Sequence, residues 1–126
     1  MAALVFDSGA LIALERGNRL VGALLAAAAR AGVDAVTSSA CVAQVWREPA
    51  RQARLTRGLA GFLERPLDAP EARRCGMLLA RTQTGDVVDG AVAAMAKDGD
   101  TILTSDPRDI SLLLQAGGTS ASVRPI

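Results

Sequence analysis

Leu4-Val5-Phe6-Asp7-Ser8-Gly9-Ala10-Leu11-Ile12-Ala13-Leu14-Glu15 opens the chain with a short apolar run, an aspartate and then a helix-like pattern. The apolar run is continuous rather than alternating, as expected of a strand buried on both faces of a parallel sheet. Near the other end, Thr101-Ile102-Leu103-Thr104-Ser105-Asp106 repeats the arrangement, and Pro107 opens the next apolar-periodic stretch. In an open parallel α/β sheet, ligands bind outside the carboxyl ends of the strands. Two carboxylates placed there, from opposite ends of the sequence, suggest a cation site.

Working outward, the pattern predicts strands at 3–7, 35–37, 63–67, 101–104 and 122–124. Helices are predicted at 8–16, 20–30, 40–47, 50–62, 70–82, 86–97 and 107–115. Ser8, Ser38-Ser39 and Asp86 are candidate N-caps, Gly17-Asn18 and Gly32 are stops, and Pro70 sits at a first helical turn. Pro49 disfavours helix at Glu48. This alternation predicts one α/β domain over 1–126. Its expected form is a three-layer α/β/α sandwich with a central, mainly parallel sheet.

Composition narrows the chemistry. Of 126 residues, half are hydrophobic, yet Phe6, Trp46 and Phe62 are the only aromatics, so the core is built from Ala, Val, Leu and Ile. The absence of histidine excludes Ser-His-Asp triads and imidazole metal sites. Cys41 and Cys75 lie in no metal-ligand spacing and read as small buried hydrophobes. A net charge of +1 provides no global field for nucleic acid, so any such contact rests on a local patch. No basic segment followed by a long apolar stretch marks the start. The apolar run from Leu20 to Ala29 is too short to span a membrane. A soluble, cytoplasmic protein is expected, with no membrane partner.

The acidic residues each have an ordinary role available. Asp7 and Asp106 fall where helices begin, and Asp86 and Asp89 open the helix after Gly85, where the helix dipole favours acids. The three-residue spacing of Asp86 and Asp89 puts both on one helical face, and Asp106, Pro107 and Asp109 form a Ser-Asp-Pro-Arg-Asp turn. Jointly they are more specific, because carboxylates packed together repel unless a cation neutralises them. Hard oxygen donors suit Mg²⁺ or Mn²⁺. Such an ion activates water and stabilises charge on a phosphodiester without histidine. A different class of reading, a small phosphate-binding α/β protein, leaves the same aspartates as helix caps.

With these residues in view, the chain resembles the PIN-domain family, specifically its VapC-type toxin ribonucleases. Val5-Phe6-Asp7-Ser8-Gly9-Ala10-Leu11 is similar to the family's opening strand and helix. Asp89-Gly90-Ala91-Val92-Ala93-Ala94-Met95-Ala96 resembles its third acidic motif, and Thr104-Ser105-Asp106 its Thr-x-Asp motif. The resemblance implies a metal-dependent endoribonuclease with Asp7, Asp89 and Asp106 as catalytic metal residues. Asp86 and Asp109 are further candidates for holding the metal. It also implies an RNA substrate, a small cognate antitoxin and a homodimer. One position departs: in Val42-Ala43-Gln44-Val45-Trp46, Gln44 stands where the family carries a glutamate. Gln44 is then a working variant, or Glu48 four residues on supplies the carboxylate, or catalysis is impaired and a binding module remains.

Arg47, Arg51 and Arg54 have i, i+4, i+7 spacing, and form one basic stripe for RNA phosphates if helix continues past Pro49. The alternative is a solvated helix face. Glu15 is either a helper near the acidic site or a solvated residue. Trp46 reads as packing in a core or an interface. The segment from Leu20 to Ala29 faces either the sheet or a partner.

Overall fold

The computed structural model describes residues 2–126. The chain runs β1 (Leu4–Phe6), α1 (Ser8–Glu15), α2 (Arg19–Arg30), β2 (Ala35–Ser38), α3 (Ser39–Val45) and α4 (Ala53–Leu59). It continues with β3 (Leu63–Arg65), α5 (Ala69–Thr82), α6 (Val87–Met95), β4 (Thr101–Thr104), α7 (Pro107–Ala116) and β5 (Ser122–Pro125). The strands form one sheet in the order β3-β2-β1-β4-β5, and every pairing is parallel. Helices cover both faces, so the expected three-layer α/β/α architecture holds, with a sheet that is parallel throughout.

Val5, at the centre, lies opposite Val36 on one side and Ile102 on the other. Phe6, Leu11, Ile102, Leu103 and Ile110 have no exposed surface. Burial of each such side chain is worth about 1.5–3 kcal/mol. Aliphatic packing dominates, as the composition requires, but Phe6 and Phe62 meet edge-to-face with centroids 4.8 Å apart. At the amino-terminal end of the sheet, Asp100 accepts the backbone N–H groups of Ala3 and Lys97 and ties β1 to the approach to β4.

The strand order has a physical consequence. From β1 the chain moves to β2 on one side, while β4 and β5 lie on the other. The switch in direction falls between β1 and β4 and opens a crevice at their carboxyl ends. Asp7 leaves β1 and Asp106 follows β4 at that point.

Several boundaries differ from expectation. Of the two cap candidates at the start of α1, Asp7 takes the role and Ser8 does not: the Asp7 Oδ1 accepts the N–H of Ala10 at 2.8 Å. Asn18 is less a stop than a start, since it caps α2 through Val21 N. The helix predicted over 40–47 ends at Val45, and the one predicted over 50–62 divides into a 3₁₀ turn at Pro49–Arg51 and α4. Pro49 forces Glu48 into extended backbone (φ −142°, ψ 91°). The buried side chain of Gln52 then satisfies the broken end. Its Oε1 accepts Arg47 N and Glu48 N, each at 3.0 Å, and its Nε2 donates to Val45 O at 2.9 Å. Glu48 therefore does not share a helical face with Gln44, and Arg47, Arg51 and Arg54 form no continuous helical stripe.

Candidate metal centre

Three stretches of backbone carry the acidic residues into the crevice. The first is the β1–α1 junction. Asp7 is only 3 % exposed. Besides Ala10 N–H it accepts the backbone N–H of Ser105 at 3.3 Å, so one carboxylate staples α1 to the loop after β4. The Thr104 hydroxyl also bonds to Asp7, and its oxygen accepts Asp106 N at 2.8 Å. This close approach depends on Gly9, where a Cβ would lie 2.6 Å from Ser105 Cβ. Real Cβ atoms do not approach so closely, and only glycine avoids the collision.

The second stretch is the start of α6. Asp86 caps it by accepting Val88 N at 2.9 Å and Asp89 N at 3.0 Å. Asp89 is largely buried and carries no cap duty. The third is the start of α7. Asp106 occupies the N-cap position yet makes no side-chain cap bond. Asp109 follows one turn later. Oxygens of Asp89, Asp106 and Asp109 all lie within 4.8 Å of one another. Ligand oxygens around one Mg²⁺ are at most about 4.2 Å apart, twice its usual bond length, so this spacing is close to what such an ion spans.

The charges respond accordingly. Asp89 is pushed up to about 7, first by burial and then by Asp86, Asp106, Asp7 and Asp109. Burial also raises Asp7, against the lowering effect of bonds from Thr104, Ala10 and Ser105. Asp109 is raised chiefly by its Asp106 neighbour, with Arg108 pulling the other way. Among the described residues no Lys or Arg forms an ion pair with any of these five aspartates. The cluster is a concentration of negative charge with an all-oxygen donor set. It fits a hard divalent cation better than a proton or an ammonium.

The other sequence candidates fall around this cluster. Gln44, on α3, is exposed and accepts the Ser8 hydroxyl through Oε1 at 2.5 Å, next door to Asp7. A cleft of about 590 Å³ runs from Gln44 between α1 and residues 44–52, and Glu15, Arg47, Glu48 and Arg51 line it. Glu48 reaches Arg51 at 3.5 Å and lies outside the carboxylate trio. Arg47 donates from Nη1 to Ala43 O and Trp46 O, closing the end of α3. Arg54 sits over Gly17, at the end of α1. Trp46, 37 % exposed, lines a separate apolar groove with Val42 and Leu59. In α2, Val21 and Ala28 are buried while Leu20 is exposed, so the helix faces inward along one side. Both cysteines are free and buried, and burial holds the Cys41 thiol at about 11. Among the described residues no helix is long and apolar enough to cross a membrane.

Ser8, Gly9, Thr104, Ser105 and Gln52 take roles that no sequence motif marks. The first four flank the aspartates, and that adjacency is their one local signal. Gln52 has none, because its partners are backbone groups exposed by a helix break.

No family model matches the sequence, and no curated protein does. The likeness is in three dimensions. VapBC2 from Rickettsia felis, solved bound to a DNA fragment from their promoter, matches with a TM-score of 0.70 at 12 % identity, over 97 % of this chain and 98 % of that one. The chain has the PIN-like fold. DNA-bound VapBC from Salmonella typhimurium matches this PIN-like chain with a TM-score of 0.66 at 13 % identity, over 98 % of each. FitAcB from Neisseria gonorrhoeae matches with 0.61 at 17 % identity, over 94 % of this chain and 96 % of that one. Within the PIN-like fold, the carboxylates occupy the crevice at the carboxyl ends of β1 and β4.

Proposed function

We propose that the protein is a divalent-metal-dependent endoribonuclease and the toxin half of a toxin–antitoxin pair. The observation that carries this reading is the convergence of Asp89, Asp106 and Asp109, without cationic partners, beside the buried Asp7. Asp89, Asp106 and Asp109 would hold Mg²⁺ or Mn²⁺, with Asp7 and Asp86 adjoining. The ion would supply Lewis acidity toward a phosphodiester and an acidified water. Asp7 fixes the loop after β4, so that Asp106 meets Asp89. Thr104 holds the Asp106 backbone while bonding to Asp7. The fold shared with VapBC and FitAcB supports a small antitoxin as partner, and a homodimer is part of the same reading. The caps-only alternative explains Asp7 and Asp86 but not Asp106, which caps nothing.

The test is cleavage of single-stranded RNA with Mn²⁺. Asp106→Asn and Asp89→Asn are each expected to lose at least about a hundredfold in rate, the scale of removing a major electrostatic contribution. Asp34→Asn, at the opposite end of the sheet, is expected to keep it. Full cleavage by Asp106→Asn overturns the assignment. Binding of RNA with no cleavage by the native protein would instead indicate a PIN-like binding module.

A further inference from the structure

Gln44 lies where two kinds of chemistry meet. On one side its hydrogen-bond partner Ser8 follows the buried Asp7, which adjoins the acidic cluster. On the other is the cleft between α1 and residues 44–52, where Arg16, Arg47 and Arg51 outnumber Glu15 and Glu48. The Gln44 Oε1 is already engaged by the Ser8 hydroxyl. An amide held by its oxygen presents its NH₂ group, which donates two hydrogen bonds and accepts none. Arg47 is likewise oriented, since its bonds to Ala43 O and Trp46 O fix the guanidinium at the cleft wall. The aspartate side suits a cation, while the adjoining wall carries, beside Glu15 and Glu48, donors suited to phosphate oxygens.

We propose that Gln44 is a substrate-binding donor: its side-chain N–H takes a phosphate oxygen of an RNA strand that continues along the cleft past Arg47 and Arg51. On this view Gln44 is not a weakened metal ligand. Its uncharged amide receives the anion that the aspartates would repel, and Ser8 sets which end of the amide faces the strand. The proposal rests on the endoribonuclease reading.

The experiment measures two affinities on the intact protein. One is Mn²⁺ binding by calorimetry, and the other is binding of a short fluorescein-labelled phosphorothioate RNA by anisotropy. Gln44→Glu is expected to weaken oligonucleotide binding about tenfold, as for a lost hydrogen bond to a charged group, and to leave Mn²⁺ affinity within about twofold. Gln44→Ala is expected to weaken the oligonucleotide in the same direction, again without moving Mn²⁺. Tighter Mn²⁺ binding by Gln44→Glu with unchanged oligonucleotide affinity overturns the proposal and makes Gln44 a metal-facing residue. No change in either affinity also overturns it. A native protein that binds neither Mn²⁺ nor the oligonucleotide overturns the endoribonuclease reading along with this one.

Discussion

At the scale of single residues, the five aspartates divide by what else they do. Asp7 and Asp86 accept backbone N–H groups and stabilise helices whatever else they contact. Asp89, Asp106 and Asp109 do not, so their proximity brings repulsion. Asp89 is pushed up to about 7, first by burial and then by the neighbouring aspartates. An unfolded aspartate titrates near 3.9. Between those values the folded chain binds more protons than the unfolded one. Stability from this group is fully present below about 4 and is lost as pH rises through 7. In EDTA, the melting temperature is expected to fall from pH 5 to pH 8. Asp89→Asn should flatten that fall, and Mn²⁺ should reverse it at the upper end. A native profile that is level in EDTA, read by scanning calorimetry, contradicts the electrostatic account.

At the scale of elements, the site depends on how closely α1 can approach the loop after β4. Gly9 and Ser105 set that distance. Gly9→Ala puts a methyl 2.6 Å from Ser105 Cβ, and the loop must move. A cost of about 1–3 kcal/mol is expected from this overpacking, measured by urea unfolding. Ser105→Gly removes the opposing Cβ, and the double variant should recover most of the loss. Additive losses would show that the two positions do not collide. The end of α3 illustrates a different element-level effect. A helical reading of 40–47 was sound by periodicity, but Pro49 and the long reach of Gln52 ended it two residues sooner. That early end moved Glu48 away from Gln44 and broke the arginine stripe.

At the scale of the whole molecule, a net charge of +1 conceals an uneven distribution. Aspartates gather at the carboxyl end of the sheet, while the adjacent cleft mixes Arg16, Arg47 and Arg51 with Glu15 and Glu48. RNA binding should therefore depend on salt through a few local contacts rather than a global field. Arg51→Gln is expected to reduce the slope of log K against log salt by about 0.7, the value for one single-strand phosphate contact. An unchanged slope, measured by anisotropy across a salt series, would place Arg51 outside the RNA path.

Much of the architecture was legible in the sequence because its signals are local. The apolar run at 4–6, the β-branched and apolar stretch at 101–104, helix periodicity between them, and capping residues at the junctions follow from side-chain period and backbone chemistry. They specify a parallel α/β order and place Asp7, Asp89 and Asp106 at element ends. The sequence by itself thus determined the layers, the strand count and the candidate acids. Only the tertiary structure decided which acids converge, because that depends on how the starts of α6 and α7 pack together and on β1 pairing with β4, which brings Asp7 beside them. It brought Asp109 into the trio and left Asp7 as a buried staple. It also separated Glu48 from the cluster and joined Gln44 to Ser8. These contacts arise between segments distant along the chain, and their geometry is set by strand pairing and close packing, which no local pattern encodes.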